Sequence, residues 1–207
     1  MSPTTSRRES PAVDALTRPG RERRQSILDA ATVVMAKHGF AGASLSQIAA
    51  EAGLEKGHIT YYFRTKDDML FEIIDDLHRR FLDSVDVWVG ERDDEIDALH
   101  HIFRSHVELV FELYQANRVA YENMRFLSRQ RFHLAAATRR DYERRLEEII
   151  DAARPHTPIA DEPTTFLVTS ILAMVSWPYQ WYTPDGTETR EQVVELLAGR
   201  AIAVLRP

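Results

Sequence analysis

Apolar residues recur along most of the chain at the three- and four-residue spacing of amphipathic α-helices. The first such stripe comprises Ile27, Ala30, Ala31, Val34 and Met35. It predicts a helix that starts near Arg21 and ends at Gly39, because glycine readily adopts the conformation of a helix C-cap. The chain has only eight glycines, which leaves few positions for tight β-turns, so an all-α fold is the simplest interpretation.

Two short helices separated by a three-residue turn are predicted next. Ser44 and Gln47 have the spacing of a capping box, which places a helix start at Ser44. The helix carries Leu45, Ile48, Ala49 and Ala52 and ends at Gly53, and the following segment 56–63 turns Ile59, Tyr62 and Phe63 to one face. This arrangement is typical of a helix-turn-helix, whose second helix enters the DNA major groove.

The opposite face of the second short helix is predicted to point outwards. It consists of Gly57, Thr60, Tyr61 and Arg64, with His58 beside them. These side chains can contact bases or phosphates, and Gly57 allows a close approach of the backbone. An ordinary solvated helix face is the alternative interpretation.

Helical periodicity continues to the C-terminus. Thr65 and Asp68 form a capping pair at the start of a long helix that runs to Trp88, and the next helix carries Ile96, Leu99, Phe103, Val107 and Val110. The stretch 117–153 predicts two helices with a break near Arg131 or Phe132. Pro155, Pro158 and Pro163 define a loop. Two apolar helices are predicted after it, over 165–181 and 189–205, and Pro178 predicts a kink in the first of them.

The chain therefore divides into three parts. Residues 1–20, rich in Ser, Thr, Pro and Arg and ended by the turn signal Pro19-Gly20, are interpreted as a disordered leader, either a solvated tail or an arm along DNA phosphates. Residues 21–66 form a three-helix head with the helix-turn-helix. Residues 67–207 form a helical bundle for ligand binding and dimerisation.

Charge supports this division. The net charge of the chain is −6, yet residues 1–66 carry ten Lys/Arg against six Asp/Glu, a net charge of +4, and the remainder carries −10. A basic head on an acidic body is typical of a protein whose head binds a polyanion. The arginines between 118 and 145 are interpreted as a solvated helix face paired with nearby Glu. The alternative is that a subset of them meets phosphate or carboxylate groups of a ligand, because guanidinium suits both.

Composition excludes several classes of function. The chain has no cysteine, which excludes disulfides, thiolate metal sites and a cysteine nucleophile. It has no run of eighteen apolar residues and no apolar signal-peptide core near its start, so we expect a cytoplasmic protein without a membrane partner. No catalytic constellation and no cofactor motif is found in the sequence. No metal site is predicted either, because His100, His101 and His106 lack the i, i+4 spacing of helical metal ligands. These histidines are predicted to be exposed or partly buried.

The segment 44–70, SLSQIAAEAGLEKGHITYYFRTKDDML, closely resembles the DNA-binding signature of the TetR/AcrR family. The resemblance implies a two-domain helical repressor that dimerises through its last two helices and releases DNA when a ligand binds. Carried over position by position, it implies that DNA is bound by Ser44, Lys56, Gly57, His58, Thr60, Tyr61, Tyr62 and Lys66. Three positions depart from the family pattern, Glu55, His58 and Thr60, so the base preference cannot be copied from relatives.

The segment 177–186, WPYQWYTPDG, resembles a TetR branch that includes repressors of fatty-acid, aromatic-acid and steroid-ring breakdown, several of which respond to acyl-CoA thioesters. An acyl-CoA or a hydrophobic acid is therefore the expected effector. Candidate pocket walls, selected as large apolar residues on central helices, are Phe103, Val107, Phe111, Tyr121, Met124, Phe126, Leu127, Met174 and Trp177. Trp181 is interpreted as a core or dimer contact rather than a ligand contact.

A homodimer on a palindromic operator is the expected assembly. Its interface is predicted from the segment 166–181 together with Val193, Val194, Leu197, Ala201 and Leu205. Ligand in the bundle is expected to shift the long helix 66–88, which joins the head at Lys66. A helical ligand-binding or scaffold protein without sequence-specific DNA binding is the alternative from another class.

Overall fold

A computed structural model describes residues 16–89, 94–153 and 162–205, and these parts of the chain are helical, with no strand among them. The helices are α1 (Arg18–Gly42), α2 (Leu45–Glu51), α3 (Lys56–Tyr62), α4 (Lys66–Val89), α5 (Glu95–Glu112), α6 (Tyr114–Asn123), α7 (Arg129–Ala153), α8 (Thr164–Ser176), α9 (Pro178–Trp181) and α10 (Arg190–Ala203). A 3₁₀ turn (Met124–Phe126) follows α6. The all-α prediction is confirmed.

Local signals position most helix ends. The capping box at the start of α2 is formed in both directions, with Gln47 N donating to Ser44 Oγ at 3.2 Å and Ser44 N donating to Gln47 Oε1 at 2.9 Å. Thr65 and Asp68 exchange the equivalent bonds at the start of α4. Gly39 and Gly53 adopt positive φ, 69° and 64°, where a side chain would strain the backbone. Regular helix ends at Gly39 in a kink, beyond which a short further turn carries α1 to Gly42, so these predicted boundaries are confirmed.

Two predicted boundaries were wrong. Thr17 caps α1, which begins at Arg18, so Pro19 and Gly20 lie in its first turn instead of ending a leader. Proline is tolerated there because the first turn of a helix does not use its N–H groups. The rest of the predicted leader, residues 1–15, lies outside the described residues, as do Pro155 and Pro158.

The break between α6 and α7 was also misplaced. It falls at Leu127 and Ser128 and not near Arg131 or Phe132, which lie inside α7. The cause is a contact with α4, because Ser128 N donates to a carboxylate oxygen of Asp67 at 3.0 Å. A long-range bond of this kind leaves no local pattern in the sequence.

Helix α4 is the centre of the fold. It packs against α1, α5, α6 and α7, and its apolar stripe is buried from Met69 to Val85. The buried residues of the head and of the body form one continuous apolar core, since α1 also packs against α6. The head therefore sits on the body through shared packing as well as through the chain connection.

The last helices have one buried face and one exposed face. The helix is interrupted at Trp177, directly before Pro178, so the predicted kink is confirmed. Helix α10 packs on α5 and α8, which buries Val193, Val194, Ala201 and Leu205 within the protomer. Assigning those four residues to the dimer interface was therefore wrong.

Candidate nucleic-acid interface and ligand cavity

Helix α3 stands on the surface of the head with its apolar side inward. Ile59 and Phe63 are buried, whereas Gly57, His58, Thr60 and Tyr61 are exposed. Tyr61 is the largest of the exposed group and leaves 57% of its surface in solvent. A Cβ added at Gly57 would meet nothing within 4 Å, so the backbone there is open to a close partner. The predicted division of α3 into an inward and an outward face is confirmed.

The remaining residues expected to meet DNA surround α3. Ser44 and Lys56 are exposed at the starts of α2 and α3. Tyr62 is half-buried and packs edge-to-face against Tyr61, with ring centroids 5.0 Å apart. Glu55, which departs from the family pattern, is exposed and makes no capping hydrogen bond to α3.

Lys66 is committed to the protein itself. Its Nζ donates to the carbonyl oxygens of Phe40 at 2.8 Å and Ala43 at 2.5 Å, and it lies 4.8 Å from the centre of the Phe40 ring. The ammonium group thus ties the first residue of α4 to the end of α1 and to its C-cap, Ala43. Its expected contact with phosphate stays a prediction.

The connection between α6 and α7 holds the base of the head. Asn123 Oδ1 accepts a hydrogen bond from Phe40 N at 2.8 Å, and the rings of Phe40 and Phe126 stack with centroids 5.6 Å apart. Arg131 forms ion pairs with both carboxylates in the first turn of α4, Asp67 and Asp68. We call these contacts the head junction.

A cavity of about 320 Å³ lies in the body between α4, α5, α6, α7 and α8. Its apolar lining residues are Leu77, Phe81, Ala120, Met124, Leu172, Ala173 and Trp177. The other lining residues are His78, His106, Tyr121, Arg139, Tyr142, Thr169 and Ser176. Met124 belongs to the turn that carries the head junction, so the cavity and the base of the head share a structural element.

The predicted pocket residues are distributed over several environments. Tyr121, Met124 and Trp177 line the cavity. Phe103 and Val107 are buried in the core, Leu127 is buried at the head junction, and Met174 is half-buried against the core. Phe111 packs edge-to-face on Tyr182, and Phe126 stacks on Phe40.

Sequence reasoning missed five polar residues of the cavity, His78, His106, Tyr142, Thr169 and Ser176, whereas Arg139 was among the arginines considered for ligand contact. For two of these residues the sequence pattern contained a signal that could have identified them. His106 interrupts the apolar stripe that contains Phe103 and Val107, and Tyr142 lies one turn before Leu146. A polar residue on a core-facing stripe indicates a buried hydrogen-bonding group.

His106 is the centre of a buried polar chain, so its predicted exposure was wrong. Its Nδ1 lies 2.8 Å from the Tyr142 hydroxyl, and its Nε2 lies 2.9 Å from Ser176 Oγ. The imidazole stacks on Phe81 with centroids 4.3 Å apart. Burial lowers the pKa of His106 to about 3 and raises the pKa of Tyr142, so both groups are neutral at pH 7.

His78 and Arg139 lie on the same cavity wall. His78 Nδ1 lies 3.1 Å from the carbonyl oxygen of Ala135 and donates to it. Burial lowers the pKa of His78, so the ring is neutral. Arg139 is partly exposed and pairs with Glu143 at 2.8 Å, as expected for the arginine-rich face of α7.

The buried imidazole makes the stability of the protein depend on pH. Because the folded state keeps His106 neutral while the unfolded chain takes up a proton below the ordinary pKa of 6.5, stability falls as the pH falls. We expect the free energy of unfolding to drop by about 2 kcal/mol between pH 7 and pH 5 from this residue, and His78 acts in the same direction. Chemical denaturation of the protein and of His106→Gln measures it. A variant with an undiminished pH dependence would contradict this assignment.

A wider groove of about 730 Å³ lies between α1, α4 and the turn from α5 to α6. Eight of its eighteen lining residues are charged, and Arg24 and Glu72 form an ion pair across it. The smaller cavity has the apolar walls and convergent polar groups of a small-molecule site, so it is the better candidate.

Two kinds of site are not found in the described parts of the chain. No group of three or more His, Asp or Glu side chains there is arranged to hold a metal ion. No helix in those parts is both long enough and apolar enough to cross a membrane.

Comparison with protein-family models identifies both halves of the chain. Residues 27–73 match the family described as bacterial regulatory proteins, tetR family. Residues 92–205 match the family described as tetracyclin repressor-like, C-terminal domain. The second match alone covers more than half of the chain.

Individual relatives are regulators as well. The chain is 24% identical over 178 residues to the HTH-type transcriptional repressor KstR2 of Mycobacterium tuberculosis, covering 83% of this chain and 86% of that protein. It is 28% identical over 90 residues to the fatty acid metabolism regulator protein of Bacillus subtilis, a match that spans 44% of this chain and 46% of the relative. A structure of AibR in complex with isovaleryl coenzyme A and operator DNA is 25% identical, with a TM-score of 0.77 over 86% of this chain and 97% of that one.

Proposed function

Because this chain belongs to the TetR family of bacterial transcriptional regulators, we propose that it binds a palindromic operator as a homodimer and leaves it when a small hydrophobic effector fills the cavity. The family consists of regulatory proteins and not of enzymes. The observation that carries the proposal is the outward face of α3, whose exposed residues stand on a basic head.

In the proposed complex, α3 lies in the major groove. Gly57, His58, Thr60 and Tyr61 contact base edges, while Ser44 and Lys56 contact phosphates. Tyr62 supports Tyr61 from behind, and Lys66 holds the start of α4 near the backbone of the DNA. The positions of these residues on and around α3 support the roles, and substitution of each residue tests them.

The proposed dimer uses the faces of α8 and α10 that the protomer leaves exposed. The large exposed apolar residues on and beside these helices are Phe166 of α8, Leu196 of α10, Trp177 and Val204 at the helix C-caps, and Trp181 of α9. Exposed aromatic and aliphatic side chains on helices that pack together are typical of a protein interface. For both α3 helices to enter successive major grooves on one side of B-DNA, the two-fold axis must set them about 34–36 Å apart.

The proposed effector enters the cavity beside α4 and Met124. Leu77, His78 and Phe81 line the cavity from α4, the helix that begins at Lys66. A ligand that displaces α4 or the turn at Met124 would therefore disturb the head junction and the spacing of the two heads. The complex of AibR with isovaleryl coenzyme A supports an acyl-CoA thioester as the effector class.

The experiment that tests the proposal is a fluorescence anisotropy titration on DNA that flanks the protein's own gene. We expect salt-sensitive, sequence-specific binding that one acyl-CoA of a panel weakens by roughly 5- to 150-fold, the usual range of allosteric coupling. The matching free acids serve as controls for the thioester. Equal affinity for scrambled DNA would instead favour a helical ligand-binding protein without an operator.

A further inference from the structure

Three buried polar groups from three helices meet at the wall of the cavity. His106 of α5 lies between the hydroxyl of Tyr142 on α7 and the hydroxyl of Ser176 on α8. All three side chains are buried and line the cavity. The positions of their hydrogens therefore determine which hydrogen-bonding group the cavity offers to a ligand.

The neutral imidazole limits the possible arrangements. A neutral ring has one donor nitrogen and one acceptor nitrogen, so His106 donates to one hydroxyl and accepts from the other. The ring nitrogens lie 2.8 Å from the Tyr142 hydroxyl and 2.9 Å from Ser176 Oγ, distances that fit either tautomer. Because a phenol is more acidic than an aliphatic alcohol and is the stronger donor, the favoured tautomer accepts from Tyr142 at Nδ1 and donates from Nε2–H to Ser176 Oγ. In this arrangement the Ser176 hydroxyl accepts from His106, and among the described residues no acceptor takes the Ser176 hydroxyl hydrogen and no second donor reaches its oxygen.

The charges around the cavity favour a neutral ligand. Among the described residues that line it, the permanently charged one is Arg139, which is partly exposed and already paired with Glu143. His78 is kept neutral by burial, with its Nδ1–H bound to a backbone carbonyl. A carboxylate pushed against Ser176 would lose its hydration without gaining a buried cation, which is unfavourable.

We infer that the buried part of the effector is an uncharged apolar group with one acceptor oxygen, such as a ketone or thioester carbonyl, which accepts the hydrogen of Ser176 Oγ. This inference rests on the proposed function, since it describes the ligand of the same cavity. Ser176 is the contact, and Tyr142 is a positioning residue, because through His106 it directs the serine hydrogen into the cavity. A group with no acceptor leaves this hydrogen unsatisfied, which costs binding free energy.

Three small probes of nearly equal shape test the inference: cyclohexyl methyl ketone, isopropenylcyclohexane and cyclohexanecarboxylate. Calorimetric titration of the full chain at pH 7 is expected to show the ketone binding about 3- to 10-fold more tightly than the alkene, the usual effect of one hydrogen bond. The carboxylate is expected to bind most weakly of the three. Ser176→Ala should make the ketone and the alkene equal while leaving alkene affinity in place.

Two further variants separate the hydrogen bond from general packing. Tyr142→Phe is expected to reduce the preference for the ketone without weakening the alkene, although that side chain gives no bond to the ligand. Ser170→Ala makes the same serine change on the exposed side of α8, outside the cavity, and should keep the preference of the unaltered protein.

Several results would overturn the inference: equal binding of ketone and alkene, tightest binding of the carboxylate, a preference that survives Ser176→Ala, or no binding of any probe. The measurement uses no DNA. Failure here therefore leaves operator binding and release standing, and failure to find an operator leaves the ketone preference standing.

Discussion

Replacing Tyr61 with alanine is expected to weaken operator binding by about 10- to 100-fold, the loss expected for one side chain that contacts DNA bases in each of two half-sites. Tyr61 is 57% exposed at the outward face of α3, so its removal takes little from the core of the protomer. Its ring contributes area and a hydroxyl where α3 meets the groove. Anisotropy titrations at constant salt concentration measure the change, and thermal denaturation checks that the fold is retained.

A matched control exists elsewhere on the surface. Tyr114 is 41% exposed at the start of α6, away from α3, and Tyr114→Ala removes the same side chain. We expect this control to keep the operator affinity of the unaltered protein. If Tyr61→Ala binds the operator as tightly as Tyr114→Ala does, α3 is not the recognition helix that we propose.

Replacing Leu196 with glutamate is expected to convert the dimer to monomers and to lower operator affinity by at least about 100-fold, because one head alone has half the contacts. Leu196 is 55% exposed on the face of α10 that points away from α5. In a two-fold interface each new carboxylate lies near its symmetry mate or is buried without a partner, and both are unfavourable. Sedimentation velocity measures the assembly, and anisotropy measures the DNA affinity.

Val87 provides the control for this second substitution. It is 54% exposed on α4, outside α8 and α10, so Val87→Glu introduces the same charge at the same degree of exposure. We expect Val87→Glu to remain a dimer. A dimer that persists in Leu196→Glu would place the interface on another surface and would leave the exposed aromatics of α8 and α9 unexplained.

The sequence was informative wherever contacts are local. The stripes of apolar residues, the capping box at Ser44 and the glycine that ends α2 involve residues within four positions of one another. The outward face of α3 followed from the same periodicity. The segment 44–70, which contains α2 and α3, also carried the family resemblance, so the head was better predicted than the cavity.

The cavity was poorly predicted because large apolar residues were taken as its walls. Phe103 and Val107 are large and central, yet they fill the core rather than line a space. Side-chain size and helical position do not tell whether neighbouring helices close on a residue or leave room beside it. The polar side of the cavity depends on three helices that meet only in the folded chain.

Taken by itself, the sequence determined that the protein is all-helical, where most helices begin and end, and which side of α3 faces outwards, because backbone hydrogen bonds, caps and helical periodicity act between near neighbours. The tertiary structure decided the rest. It bonded His106 to partners 36 and 70 positions away, committed Lys66 to the end of α1 and buried the Val193 face of α10, leaving Leu196 exposed. Those outcomes depend on which helices pack together, and no local pattern records that choice.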